Sequence, residues 1–171
     1  EDVKNFRSEI GVLFLNGYNR DVLTKMFDDN RLTYTSLFKA RPHIFVSKSN
    51  PLAKHKVVSL EDLEDFPYLS YDQGIHNSFY YSEEILSQIP HKKSIVVSDR
   101  ATLFNLLIGL DGYTIATGIL NSNLNGDNIV SIPLDVDDEI DIVYLKHEKA
   151  TLSKMGEKFL DNLVKEVTFD N

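Results

Sequence analysis

The sequence has no cysteine, which excludes disulfides, thiolate nucleophiles and cysteine metal sites. It has no apolar run near the roughly 20 residues that a membrane-spanning helix needs. Basic residues are the minority, 18 Lys and Arg against 26 Asp and Glu, for a net charge of −8. Nucleic-acid binding by counterion release needs a basic surface, so this chain is not expected to bind DNA or RNA directly. Its two short basic clusters, Lys54-His55-Lys56 and His91-Lys92-Lys93, read as solvated turns. Glu1-Asp2-Val3-Lys4-Asn5 has no basic stretch leading into an apolar one, so no signal peptide is expected. Lack of cysteine suits a cytoplasmic protein.

Catalytic signatures are missing as well. No Gly-x-Ser-x-Gly elbow or glycine-rich phosphate loop occurs. The five histidines, His43, His55, His76, His91 and His147, form no pair at metal-ligand spacing. Asp137-Asp138-Glu139 lacks the alternating ligands and central glycine of a calcium loop and reads as a solvated turn. An enzyme is therefore not expected, and neither is a metal or other cofactor.

What is present is a chain of 171 residues, 42% hydrophobic, enough for one large domain or two small lobes. Glu9 to Leu15 is a near-continuous apolar run, the pattern of a strand buried on both faces as in parallel sheets. Asn19 is placed to cap a helix carrying Val22, Leu23, Met26 and Phe27 and ending near Asn30. Leu32 to Phe38 and Pro42 to Ser47 read as strands. Ser59-Leu60-Glu61-Asp62 reads as a capping-box variant opening a short helix. Tyr68 to Tyr71 predicts a strand. A helix is expected from about Ser78, with Tyr81, Ile85 and Ile89 on one face and Pro90 as its stop.

Ser94 to Val97 predicts another strand, and Ser98 or Asp99 caps a helix with a Leu103, Leu106, Leu107, Leu110 stripe. Strands follow at Tyr113 to Thr117, Ile129 to Ile132 and Ile140 to Leu145, with a polar loop over Asn121 to Asn128. The last helix, about Ser153 to Val167, is expected to bury Met155, Phe159, Leu163 and Val167. Alternating strands and helices argue for α/β with mostly parallel sheets.

In open α/β sheets, ligands bind beyond the carboxyl ends of the strands. Four strand ends are small or polar: Asn16-Gly17, Asp72-Gln73-Gly74, Ser98-Asp99 and Thr117-Gly118. The first three lead into helices, whose free N–H groups suit a carboxylate or similar anion. Arg41 and Arg100 could add fixed charge. The competing reading is that these residues are only caps and turns, since Ser, Asn, Asp and Gly are preferred there anyway. His76 lies beside one such loop and reads as an exposed histidine. Tyr80 and Tyr81 read as packing.

The order of motifs resembles a known family. PHIFVSKSNPLAKHKVVSLEDLEDFPYLSY (42–71) looks like the middle of a LysR-type effector domain, with its apolar strand, "PLA" turn and "DL…P" segment. SDRATLFNLLIGLDGYTIATG (98–118) resembles the family's leucine-rich helix and the strand after it. IVSIPLDVDDEIDIVYLKHEKATLSKMGEKFLDNL (129–163) resembles its closing strands and last helix, and EIGVLFL (9–15) fits an earlier strand. Two departures stand out. Gly118 is followed by Ile119-Leu120-Asn121 where the family usually has proline. The chain also starts where the family already has a strand, helix and strand behind it, so the first lobe is expected to be incomplete and the DNA-binding head absent.

The resemblance implies two lobes like those of periplasmic binding proteins, residues 1–41 with 135–171 and residues 42–134, with a ligand between them. Carried over, the ligand positions are Leu15, Asn16, Arg41, Pro42, Asp72, Gln73, Gly74, Ser98, Asp99, Thr117 and Gly118. The implied function is to sense a small metabolite, such as a carboxylate or amino-acid derivative, for a cytoplasmic transcription regulator. DNA would be reached only through the missing helix-turn-helix. Three alternatives stay open: a transport-type solute-binding protein, an enzyme using Asp72 or His76, and an interaction module. Uncovered apolar faces around EIGVLFL predict self-association, as a dimer or larger homo-oligomer.

Overall fold

The computed structural model describes residues 1–74, 84–121 and 126–169. Its elements run β1 Gly11–Leu15, α1 Arg20–Asp29, β2 Leu32–Ala40, β3 His43–Ser47, β4 Tyr68–Tyr71, β5 Ser94–Val97, α2 Arg100–Gly109, β6 Tyr113–Ala116, β7 Ile129–Pro133, β8 Ile140–His147 and α3 Lys154–Phe169. The chain divides into two compact units, Glu1–Ala40 with Glu139–Asn171, and Arg41–Asp138.

In the first unit, three strands pair in the order β1-β8-β2, both ladders antiparallel. The Leu23 and Phe27 stripe of α1 packs on this sheet with Val3, Leu15, Leu32, Val143 and Leu145. Fully burying a side chain of this size stabilises by roughly 1.5–3 kcal/mol. Asn19 stands at the N-cap of α1, but its side chain makes no cap bond. Its Oδ1 instead accepts from the Asn16 N–H (2.9 Å), and its Nδ2 donates to the Phe14 carbonyl (3.2 Å).

The last helix differs from expectation. Among its positions up to 165, Gly156 and Leu160 are buried and Leu163 is half-buried, whereas Met155 and Phe159 are 76% and 50% exposed; the side chain of Val167 lies outside the described residues. The cause is its docking at the N-terminal end. Ser153 donates through N and Oγ to the Glu9 carboxylate, and a Cβ at Gly156 would lie 3.1 Å from Glu9 Oε1. Close approach at the glycine rotates the helix so that Leu160 faces inward.

In the second unit, five strands run in the order β5-β4-β6-β3-β7. Strand β4 is parallel to β5 and β6, while β3 is antiparallel to β6 and β7. Leu103 and Leu107 of α2, both fully buried, pack on Phe45, Leu69, Val97 and Ile129. Asp99 caps α2, its Oδ1 accepting from the Thr102 N–H at 2.9 Å. The expected capping box is present ahead of the short turn Glu61–Leu63, with Ser59 N–H donating to Asp62 Oδ2 (2.9 Å) and Asp62 N–H to Ser59 Oγ (3.3 Å).

Two further expectations are corrected. The sheets are mixed rather than mostly parallel, with four antiparallel ladders and two parallel ones. An apolar run reports burial but not strand direction, and β1 is a marginal strand in which only Leu15 is fully buried. The helix expected from Ser78 begins outside the described residues, and its remainder, 84–89, forms turns. Leu86 takes φ +59, which no right-handed helix accommodates. Ile85 is nonetheless buried, so that apolar position was read correctly without its conformation.

Candidate ligand edge

Because β4, β5 and β6 run the same way, their carboxyl ends lie on one edge of the five-stranded sheet. This edge carries Asp72-Gln73-Gly74, Ser98-Asp99 and Thr117-Gly118. Strand β3 runs the other way and β7 runs with β6, so the start of β3 and the end of β7 reach the same edge, with His43 opposite both Ala116 and Pro133. Arg41 and Pro42 therefore join it. Nine of the eleven sequence-derived positions share this one edge. Leu15 and Asn16 belong to the other unit.

Each position has a definite environment. Asp72 N–H donates to the Val97 carbonyl (2.8 Å), extending the β4–β5 ladder by one rung. Its Oδ1 accepts from the Gly74 N–H (2.9 Å), and Gly74 takes φ +68. Gln73 Nε2 donates to the Tyr71 carbonyl (3.2 Å). Ser98, Asp99 and Arg41 are exposed, whereas Pro42 is fully buried and its carbonyl accepts from the Leu134 N–H (3.0 Å). In the other unit, Leu15 is a fully buried core residue. Asn16 is also buried, its Oδ1 accepting from Tyr18 N–H and Asn19 N–H at 3.1 Å each.

The electrostatics modify one expectation. A helix N-terminus suits an anion, but at α2 that place is taken by Asp99. Its second oxygen accepts from Thr102 Oγ1 (2.7 Å), and the bonds from Thr102 N–H and then Thr102 Oγ1 hold its carboxyl below the usual carboxylate range. The helix end is thus neutralised from within, and a ligand anion would be repelled there. Arg100 lies 4.9 Å from the Phe104 ring centroid. Arg41 is the other cation of this edge.

Sequence reasoning missed His43. A Cβ at Gly118, which sits at φ +85, would lie 2.6 Å from His43 Nδ1. That nitrogen is 2.9 Å from the Arg41 carbonyl. A carbonyl only accepts, so Nδ1 carries the proton and donates. The imidazole thereby ties the Arg41 backbone beneath the Thr117-Gly118 turn, and the Gly118 carbonyl accepts from Ser131 Oγ (3.1 Å). Only the bare glycine surface admits this contact, and no local sequence pattern announces it.

In the first unit, Asp141 lies beside Leu15 across the ladder and was also missed. Its carboxylate accepts from Arg20 Nη2 (3.0 Å) and Ser36 Oγ (2.5 Å). Burial alone would raise the Asp141 carboxyl. The Ser36 and Arg20 hydrogen bonds, with the Arg20 and Lys39 charges, bring it below the ordinary range. An aspartate inside the apolar strand Ile140–His147 was the available signal.

The opposite edge of the five-stranded sheet corrects the reading of His91-Lys92-Lys93 as a wholly solvated turn. Lys92 is paired with Glu64, and Lys93 Nζ donates to the Asp65 carbonyl (2.8 Å). His91 is drawn inward, stacked on Tyr68 with ring centroids 3.8 Å apart, its Nδ1 2.8 Å from Tyr113 Oη. Glu64, His91, Lys92 and Tyr113 border an apolar cavity of 380 Å³ with Leu63, Phe66 and Ile89. His76, Tyr80 and Tyr81 lie outside the described residues. Among the described residues, no three His, Asp or Glu side chains cluster as a metal site, and no helix is long and apolar enough to cross a membrane.

Comparison with known proteins bears on this geometry. The family model for the LysR substrate binding domain matches residues 4–168. Comparison with curated proteins finds no match. Among solved structures, the chain is similar to HinK, a LysR family transcriptional regulator from Pseudomonas aeruginosa, with TM-score 0.64 and 15% identity over 96% of this chain and 55% of that one. It is similar to the BenM effector binding domain with its effector benzoate (TM-score 0.62, 20% identity, 97% of this chain, 72% of that one). The effector binding domain of QuiR in complex with shikimate gives TM-score 0.60 and 16% identity over 96% and 74%. At these identities the likeness shows the fold. The chain spans 55% of the length of HinK.

Proposed function

Because the chain belongs to the LysR substrate binding domain family, we propose that it is the effector-sensing part of a transcription regulator that binds a small metabolite at the ligand edge of the unit Arg41–Asp138. The observation that carries this reading is the convergence of the ends of β4, β5 and β6 with Arg41 on one sheet edge. Asp72, Gln73, Gly74, Ser98, Thr117 and Gly118 would supply hydrogen bonds, and Arg41 a charge. Pro42 and Asp99 shape the edge, one by burial and one by closing the end of α2. Leu15 and Asn16 are proposed as contacts on the family resemblance.

The effector class proposed is a small carboxylate or amino-acid derivative, with its carboxylate met by Arg41, since Asp99 keeps anions from the helix end. BenM and QuiR are solved with benzoate and shikimate, and both molecules are carboxylates. The intact protein would be cytoplasmic and homo-oligomeric, with DNA bound by a separate head. Binding shifts such a regulator only if the ligand favours one state over another. A transport role finds no support in the family match, and no chemistry at this edge requires turnover.

The test is calorimetric titration of this chain with benzoate, shikimate and a set of amino acids, repeated on Arg41→Ala, Ser98→Ala and Asn16→Ala. Saturable binding that Arg41→Ala weakens at least tenfold supports the edge, on the order of one charged hydrogen bond. Affinity unchanged in Arg41→Ala and Ser98→Ala would remove it. Turnover lost on Asp72→Ala would favour an enzyme.

A further inference from the structure

We propose that the cavity at the amino ends of β4, β5 and β6 is a second small-molecule site, one that takes a single-ring aromatic amine as its ammonium cation, with the ring on the apolar floor and the charge answered by Glu61. The inference is separate from the ligand reading and uses the opposite edge of the five-stranded sheet.

Two segments form the walls. Residues 60–66 lead into β4 and residues 89–92 lead into β5, and Tyr113 of β6 completes the lining. Backbone bonds fix these segments side by side. Tyr68 N–H donates to the Lys93 carbonyl (2.9 Å), and Tyr113 N–H donates to the Pro67 carbonyl (3.0 Å). Lys93 Nζ adds a bond to the Asp65 carbonyl (2.8 Å). Leu63 and Tyr113 are themselves buried. The cavity is therefore formed in advance of any ligand, as small-molecule pockets usually are. Its volume of 380 Å³ lies near the low end of the roughly 300–1,000 Å³ typical of such pockets. That size suits one ring with a short tail.

The lining decides the sign of the ligand. Leu60, Leu63, Phe66, Ile89 and Pro90 supply an apolar floor. The two ionisable rings are neutral at pH 7, because burial pushes the Tyr113 hydroxyl up to about 12 and lowers the His91 imidazole. Three charged groups remain in the lining, Glu61, Glu64 and Lys92. Lys92 is paired with Glu64, so those two charges cancel. Glu61 has no ion-pair partner among the described residues. The cavity thus carries one uncompensated negative charge, in a chain whose net charge is −8. Both disfavour an anion and favour a cation. The rings of Phe66 and Tyr113 act in the same direction, since aromatic faces attract cations. A bare inorganic cation would match Glu61 but leave the floor unused, and a hydrocarbon would do the reverse. An aromatic ammonium satisfies both. The ligand edge selects the opposite charge through Arg41, so ligand charge tells the two sites apart.

The experiment is an amide chemical-shift titration of this chain by heteronuclear NMR. The probes are phenethylamine, a cation at neutral pH, and two molecules of similar shape, phenethyl alcohol (neutral) and phenylpropionate (anionic). Saturable shifts at Leu63, Phe66, Ile89 and Tyr113, with the amine bound about three- to fivefold more tightly than the alcohol and the acid weakest, support the site, that ratio being the size of one exposed ion pair. Glu61→Gln, a change at an exposed position, should bring the amine down to the affinity of the alcohol. Raised salt should narrow the same preference. Absence of saturation, equal affinity for amine and acid, or a preference for the amine that survives Glu61→Gln overturns the proposal. So do shifts centred on Arg41, Asp72 and Thr117, which assign the molecule to the other edge.

Discussion

Replacing Gly118 by alanine tests the architecture of the ligand edge most directly. The residue takes φ +85, and a Cβ there would meet His43 Nδ1 at 2.6 Å and Cγ at 2.7 Å. Two costs follow. Holding a residue with a Cβ in that backbone region costs roughly 1–2 kcal/mol. Displacing the imidazole breaks the Nδ1–H bond to the Arg41 carbonyl, worth about 0.5–1.5 kcal/mol. The expected destabilisation is about 2–3 kcal/mol, which for a chain of this size lowers the melting temperature by roughly 5–10 °C.

Urea unfolding followed by circular dichroism measures it, with His43→Ala as the second arm of a double-mutant cycle. In the His43→Ala background the steric part vanishes and only the backbone part, roughly 1–2 kcal/mol, remains. Effector affinity should fall in Gly118→Ala, because Arg41 and Thr117 flank the disturbed contact. Stability of Gly118→Ala within about 0.5 kcal/mol of the unmodified chain, or full additivity in the cycle, would refute the reasoning.

Two other outcomes are expected. Asp141→Asn should cost about 1–3 kcal/mol, since the carboxylate serves both Arg20 and Ser36. Its folded-state pKa is lowered, so its contribution is present above the ordinary aspartate value and is lost as pH falls through and below it. A urea midpoint in Asp141→Asn that drops as steeply in acid as that of the unmodified chain would contradict this. His91 is half-buried, and burial lowers its pKa below the ordinary histidine value. The folded state then binds fewer protons, so stability should decline as pH falls through about 6.5. His91→Phe, which keeps a ring against Tyr68, should flatten the stability profile between pH 7.5 and 5.5, and an unchanged slope would count against the burial argument.

Much of this fold is legible in the residues. The Leu103 and Leu107 spacing specifies α2 and its buried face, Asp99 specifies where it starts, and the paired Ser59 and Asp62 announce their own turn. The apolar runs locate all eight strands to within two residues at either end, and β2 and β8 each extend two residues beyond their expected ends. The order of motifs along the chain carries the family. These are local properties, set by backbone sterics, capping and the burial of one face, and a short window of sequence contains them.

Tertiary structure decided the rest. Which strands lie side by side, and in which direction, depends on pairings between residues far apart, so the mixed sheets could not be read from apolar runs. The same holds for the site. Asp141 finds Arg20 and Ser36 across 121 and 105 residues of chain, and His43 finds Gly118 only because β3 pairs with β6. Asp99 was recognisable as a cap. That its carboxylate faces the ligand edge and changes which ligands suit that edge follows only from the parallel packing of β4, β5 and β6. Burial patterns tell a segment that it must be covered. Only the assembled core determines what covers it.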